Sequence, residues 1–311
     1  MELLKIDDMQ ISNIDFYHAY KLNDMQVLDF RKREFKSIPE LILPRSVPST
    51  EAKIYVYEDK NKWQKYLNAI KIFYNPEKMP DKSYTIGELI RNKDIIGLDE
   101  LVMPLALVSV DKELRGYMMP YIESSLNMKV FLNNPNVSLK DKLKYLKEIL
   151  VLLNKIESIH ALEGNFFLGD IHEANFIFDA ESQRIKVVDM DSAVINGSDI
   201  PVSKFMTYNF NLYNFPNKYP MNNEDRHIPS HNTQMLSFIY MLLNAISLDK
   251  SYRWSVEDYY FYLNYLERLG ISHNVTDALS HAYDSSPRVD FNVELLSEID
   301  PNKDYRLQLS K

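Results

Sequence analysis

The sequence predicts an α+β fold in two lobes, a small, strand-rich N-terminal one and a larger, mainly helical C-terminal one. Three observations predict it. Before Ile122 the chain carries runs of β-branched and aromatic residues with the period-two alternation of half-buried strands. From Ser138 onward apolar residues recur at spacings of three and four, the period of an amphipathic helix. The change falls near Tyr121–Leu126, which is read as the connection between the lobes. Residues 1–44 are then an N-terminal extension, 45–122 the N-lobe and 123–311 the C-lobe.

The elements follow in order. Lys53–Tyr57 alternates and reads as a strand. Tyr66–Tyr74 reads as another, with Ala69, Lys71 and Phe73 on one face and Ile70 and Ile72 on the other. Pro76 and Pro80 break the chain. Tyr84–Ile96 is predicted helical, with Thr85 as its N-cap. Leu101–Val110 and Leu114–Ile122 are strand-like, although Pro104 and Pro120 sit awkwardly in a ladder. Ser138 caps the clearest helix, whose stripe is Leu139, Leu143, Leu146, Leu150, Leu153 and Ile156, with Gly164 as its stop. Phe176–Phe178 and Ile185–Val188 are short strands around the turn Ala180–Gln183. From Met235 to about Tyr283 the pattern is helical.

Composition bounds the function classes. With 45% apolar and 26% charged residues, the 311-residue chain can bury a sizeable core. A net charge of −8 without a basic stripe argues against a nucleic-acid partner. With no cysteine, a disulfide framework and a thiolate metal site are both excluded. The opening MELLKIDDMQ lacks the pattern of a signal peptide, and the longest apolar run, Phe238–Leu243, is far too short to span a bilayer. A cytoplasmic protein without membrane insertion is expected.

The chemistry is carried by Gly169-Asp170-Ile171-His172-Glu173-Ala174-Asn175 and by Lys186-Val187-Val188-Asp189-Met190-Asp191. Asn175 follows Asp170 by five residues, and Asp189 follows Asn175 by fourteen, at the end of an apolar run. An Asn and an Asp at adjacent strand ends offer the few hard oxygen donors that Mg²⁺ prefers, with substrate phosphates completing its octahedron. Upstream, Asn68-Ala69-Ile70-Lys71 puts a lysine on a strand.

These segments resemble the protein-kinase-like superfamily, which includes eukaryotic-type Ser/Thr kinases and the small-molecule kinases related to aminoglycoside phosphotransferases. The resemblance covers roughly residues 45–290. Leu168-Gly169-Asp170 to Asn175 is similar to the family's catalytic loop, preceded by Ile159-His160 and Gly164. Asp189-Met190-Asp191 is similar to its Asp-Phe-Gly element, and Asn68-Ala69-Ile70-Lys71 to its Val-Ala-Ile-Lys. The resemblance implies a bilobal kinase-like fold, with a small antiparallel-sheet N-lobe and a larger, mainly helical C-lobe, and ATP and Mg²⁺ as cofactors. It implies Asp170 as the base toward an acceptor hydroxyl, Asn175 and Asp189 as metal ligands, and Lys71 on the α/β-phosphates. Glu88 is the expected partner of Lys71, with Glu100 the second choice. Ala69 would leave room for adenine. In Tyr117–Ser125, similar to the inter-lobe hinge, Met119 would be the gatekeeper, Pro120 a carbonyl acceptor and Ile122 an N–H donor; the same stretch also reads as an edge strand with a proline.

The chain departs from the family in three places. Val47–Ile54, where a glycine-rich phosphate loop is expected, has no glycine, so coverage would fall to the Ser49 and Thr50 hydroxyls, with Glu51 an unwelcome neighbour. Asp191 replaces the glycine after Asp-Met, as an additional metal ligand or as a strand-end residue. His172 replaces the lysine of Ser/Thr kinases, as a phosphate donor or as a loop histidine bonded to backbone, and brings the loop closer to the small-molecule branch. Against that branch, Tyr208, Tyr213 and Lys218-Tyr219-Pro220 resemble a protein-kinase activation segment. Asn232 stands where an Asp is usual, and Arg288 would pair with Glu224. The expected activity is ATP- and Mg²⁺-dependent phosphoryl transfer, first to a protein Ser/Thr hydroxyl. A small-molecule hydroxyl is the second enzyme reading, and a pseudokinase acting as a binding or scaffold module is the reading from another class.

Overall fold

The computed structural model describes residues 17–22, 25–36, 38–41, 51–59, 66–123, 125–159, 166–195, 215–220 and 227–306. In chain order they form β1 (Tyr17–Leu22), β2 (Met25–Phe30), α1 (Lys32–Phe35), β3 (Ala52–Asp59), β4 (Tyr66–Phe73), α2 (Met79–Arg91), α3 (Lys93–Ile96), β5 (Ala106–Val110) and β6 (Glu113–Pro120). After these come β7 (Ser125–Asn127), α4 (Met128–Leu132), α5 (Leu139–Glu157), β8 (Phe176–Asp179) and β9 (Arg184–Val187). The chain closes with α6 (His231–Ser247), α7 (Val256–Arg268), α8 (His273–Ser280) and α9 (Val293–Ser297). The α+β class holds. The chain divides into one unit of Met1–Ser125 with Asp179–Asp191, and a second of Leu126–Phe178 with Ser192–Lys311.

The first unit is organised by a six-stranded sheet in the order β1-β2-β5-β6-β4-β3. The sheet is mixed, and this corrects the antiparallel expectation, because β2 runs parallel to β5. It also corrects the domain boundary: the described part of residues 17–30 belongs to the sheet and is not an extension. The pattern of β2 gave no warning, because Val27, Leu28 and Phe30 are all fully buried, filling both faces of an inner strand, and no alternation is left to read. Asp29 is the buried polar residue of this strand. Its Oδ1 accepts from Ser109 Oγ at 2.7 Å and from the Lys112 N–H at 2.7 Å, which ties β2 to the turn between β5 and β6. Asp111 and Lys112 in that two-residue turn both have positive φ, 51° and 66°, the backbone of a type I′ hairpin.

Alternation in β4 runs as predicted. Ile70 packs with Leu28, Phe30, Phe35, Tyr57 and Met118 on one face. Ala69 and Phe73 pack with Val27, Tyr117 and Met119 and with Met79 and Ile86 of α2 on the other. Gly116 on β6 is required by close approach: a Cβ there would lie 1.7 Å from the Lys71 carbonyl oxygen. The helix over the sheet starts earlier than its sequence suggested. Asn75 caps a single turn at Pro76–Lys78, accepting from the Glu77 N–H, and α2 begins at Met79. Thr85 is therefore no cap but a fully buried interior residue, and its hydroxyl has no hydrogen-bond partner.

In the second unit Ser138 caps α5 as expected, accepting from the Asp141 N–H, and Leu146, Leu150, Leu153 and Ile156 of the predicted stripe are fully buried. The helix ends at Glu157; Gly164 lies outside the described residues. α5 packs on α6 and α9, and α7 on α8. Among the described residues no helix is long and apolar enough to cross a membrane.

Candidate functional site

In the first unit, the sheet and its covering helix bring together five charged side chains from four separate segments. Lys71 projects from β4 on the face shared by Ala69 and Phe73. Asp189 and Asp191 follow β9, which is fixed to this unit by reciprocal bonds: the Val102 N–H donates to the Val187 carbonyl at 2.9 Å and the Val187 N–H to the Glu100 carbonyl at 2.7 Å. Asp189 has φ 65°, in the left-handed region that Asp tolerates better than most residues. Through this turn Met190 is buried while the carboxylates on either side of it reach the same ammonium. Glu51 immediately precedes β3, and Lys82 comes from α2.

The Lys71 ammonium donates to Asp189 Oδ1, to Asp191 Oδ2 at 2.6 Å and to Glu51 Oε1 at 3.5 Å. Lys82 donates to the other Asp191 oxygen, Oδ1, and to Glu51 Oε1 at 3.3 Å. Tyr117, directly across from Lys71 in the β4–β6 register, donates its hydroxyl to Asp191 Oδ2 at 3.3 Å. Both ammoniums also lie 5.1 Å from the centre of the Phe73 ring, within cation–π range.

Burial and charge set the protonation states. Burial alone would lower Lys71, but the Asp189 and Asp191 carboxylates hold it well above its ordinary value. Lys82 is raised in the same way, chiefly by Asp191 working against burial. Burial and the adjacent Asp191 push Asp189 up to about 7, against the pull of Lys71. Burial opposes ionisation of Asp191 too, but two ammoniums contact it and hold it far below the usual carboxylate range. The two carboxylates share one environment, and the one that bridges both lysines keeps its charge.

Glu51, Asp189 and Asp191 each present an oxygen within 4.8 Å of the others, so one cation could be held by all three. Three carboxylates are a hard-oxygen donor set, which suits Mg²⁺ or another oxygen-loving divalent cation.

The helix partner of Lys71 is a correction. Glu88 does not pair with Lys71; it bonds Arg91 one turn on, and the Asn92 side-chain amide donates to its carbonyl at 2.8 Å. Helix geometry explains the difference. Met79, Lys82, Ile86 and Leu89 recur at spacings of three and four and face the sheet, while Glu88 falls outside that stripe. Glu100 lies 3.9 Å from Arg184. The residue that α2 does send into the cluster, Lys82, was missed because the helix was begun at Tyr84; extending the stripe back to Met79 would have found it.

The other predicted positions of this unit fall on β4 and β6. Ala69 is opposite Met119, Asn68 opposite Pro120, and the Tyr121 N–H donates to the Leu67 carbonyl at 3.1 Å. Ile122 packs on the cluster that contains Ala69 and Met119. Ser49 and Thr50 lie outside the described residues.

The second unit gathers Asp170, His172 and Asn175 in one tight turn. The Asn175 amide donates to the Asp170 carbonyl at 2.9 Å and reaches Asp170 Oδ2 at 3.4 Å. His172 Nδ1 accepts from the Ala174 N–H at 3.1 Å, which leaves Nε2, 3.4 Å from Asp170 Oδ2, as the protonated nitrogen. The turn is pinned from both sides: the Leu168 N–H donates to Gln234 of α6 at 2.8 Å, and Asn244 of α6 donates to the buried Glu173 at 2.7 Å. Asn232 accepts from the Val289 N–H at 2.9 Å and donates to the Lys218 carbonyl at 2.9 Å, joining the segments that hold these two residues to the start of α6. Arg288 bonds Asp290 and Glu157; Tyr208, Tyr213, His160 and Glu224 lie outside the described residues. No protein-family model matches this chain, and no curated protein matches it significantly in sequence.

Proposed function

We propose that this chain is an ATP- and Mg²⁺-dependent phosphotransferase of the protein-kinase-like kind, acting first on a protein Ser/Thr hydroxyl. The observation that carries the reading is the meeting of Lys71 with Asp189, 118 residues later, two residues that the motif spacing singled out independently. Their surroundings support it: an oxygen donor set suited to a divalent cation stands beside a buried ammonium that could face phosphates. In this reading Mg²⁺ would neutralise charge on the transferring phosphoryl group. Lys71 would orient the phosphate chain and Asp189 would contribute an oxygen to the metal; Asn175 is its second ligand on the resemblance alone. Asp170, steadied by Asn175 and His172, accepts the proton of the acceptor hydroxyl.

Transfer of labelled γ-phosphate from ATP to candidate acceptors, the protein itself included, tests the reading. Incorporation that needs Mg²⁺ and is lost in Asp170→Asn is expected; no incorporation with protein or small-molecule acceptors would defeat it. A binding module without turnover is the second reading, favoured by one sequence observation: the first glycine of the chain is Gly87, so no glycine loop precedes β4. A rise in thermal midpoint with ATP and Mg²⁺ but no transfer would select that module.

A further inference from the structure

We infer that Lys82 is a second anion-binding cation of the Lys71 site, and that this site takes a divalent metal and a polyphosphate chain together and neither well alone. The ligand class rests on the phosphotransferase reading; the cooperativity rests on how the charges are arranged.

Lys82 occupies the apolar face of α2, in line with Met79, Ile86 and Leu89, where an apolar side chain would pack as well. Its side chain is only 11% exposed, and it contacts Asp191, a carboxylate Lys71 already holds at 2.6 Å. A buried ion cluster of this kind adds little net stability over apolar packing, so stability alone does not account for the second lysine.

Both Asp191 oxygens, Asp189 Oδ1 and Glu51 Oε1 are taken by the two ammoniums. A metal ion binding through Asp191 must therefore compete with an ammonium for whichever oxygen it takes, Lys71 at Oδ2 or Lys82 at Oδ1, and a buried ammonium displaced from it needs another anion. A polyphosphate chain supplies it. Arriving without the metal, the same chain would meet three carboxylates. Each ligand thus removes the obstacle to the other, and the coupling is reciprocal. It also answers the lack of glycine before Gly87: side-chain cations replace the backbone N–H groups that a glycine loop would offer.

Isothermal titration of the full chain with inorganic tripolyphosphate, with Mg²⁺ and with both tests this. Wild type should bind tripolyphosphate on the order of tenfold more tightly when Mg²⁺ is present. Lys82→Met, matched to its apolar neighbours, should lose about that factor, and Lys82→Arg should recover most of it. Equal affinity of wild type with and without Mg²⁺, or unchanged affinity in a folded Lys82→Met, would overturn the inference. A wild type without Mg²⁺ dependence overturns the inference even if the methionine variant does not fold. Binding of tripolyphosphate that depends on Mg²⁺ and Lys82, without any phosphate transfer from ATP, would keep this inference and sink the phosphotransferase reading.

Discussion

Asp191 lies 120 residues from Lys71 in sequence and accepts its ammonium at 2.6 Å, with a side chain only 1% exposed. That bond, with the one to Asp189, makes β4 and the segment after β9 a single charged centre. The contact is built by the sheet and by the backbone bonds of β9 to Glu100 and Val102, not by sequence proximity.

Lys71→Met should be costly to fold. It leaves Asp189 beside an Asp191 that only Lys82 still contacts among the lysines of the cluster. Removing one partner of a buried ion pair costs roughly 3–5 kcal/mol, and urea denaturation should report a loss in that range. A loss under ~1 kcal/mol would mean that water reaches the carboxylates freely.

Stability should fall as the pH rises toward neutrality. Asp189 in the folded protein titrates near 7, against an ordinary value of 3.8. Between those values the folded state holds a proton that the unfolded chain has released, so raising the pH favours unfolding. The slope can reach at most ~1.4 kcal/mol per pH unit for one proton. Asp191 works the other way: its contribution is present above its ordinary value of 3.8 and lost only in stronger acid. Chemical denaturation from pH 4 to 8 should therefore show a decline that Asp189→Asn flattens. An unchanged slope in that variant would remove Asp189 as its source.

Gly116→Ala should disrupt the sheet at Lys71 itself. The added Cβ would sit 1.7 Å from the Lys71 carbonyl oxygen and 2.8 Å from its carbon, so the strands β4 and β6 must move apart. Overpacking of this kind typically costs 1–3 kcal/mol, and here backbone must yield, so about 3 kcal/mol or more is expected. Denaturation midpoints of the two proteins measure it; equal midpoints would contradict the close approach.

Much of the Lys71 cluster and of the Asp170 turn was legible in the sequence, and the gaps have physical causes. Alternation in β4 gave the face of Lys71, because one face packs beneath Tyr117 and Phe73 while Ile70 goes to the other. The Asp170 and Asn175 pair could be read because turn chemistry is local: both ends of the Asn175–Asp170 bond lie within five residues. β2 was hidden because an inner strand covered on both faces carries no period. Lys82 and Glu88 were exchanged because a start at Tyr84 cut the first five residues from α2, and with them the stripe that marks the inward face. Glu51 was expected only as a burden beside phosphate, since nothing local to it signals two lysines from β4 and α2.

Thr85→Val should stabilise the protein. The hydroxyl is fully buried in α2 without a hydrogen-bond partner, and valine replaces it with a methyl group of similar shape. Removing an unsatisfied buried polar group relieves a penalty of ~1–3 kcal/mol, and valine and threonine have about equal helix propensity, so a gain of about 1 kcal/mol or more is expected. Calorimetry at pH 7 decides; a loss of stability would show that the hydroxyl is bonded in solution.

Asp170→Asn and Asp189→Asn should fail differently if the proposed roles hold. Asp170 is steadied by Asn175 at 3.4 Å and His172 at 3.4 Å, which suits a base that faces an acceptor hydroxyl. Its amide variant keeps the hydrogen bonds of the turn but not the basicity, so turnover should drop ~10²–10⁴-fold with nucleotide affinity nearly unchanged. Asp189 is one of the three carboxylates within reach of a single cation. Its amide variant removes a metal-binding charge, so Mg²⁺-dependent ATP binding itself should weaken. Nucleotide titrations with and without Mg²⁺, set beside phosphate-transfer rates, separate the two. Equal loss of nucleotide binding in both variants, or full turnover in Asp170→Asn, would show that the roles are wrongly assigned.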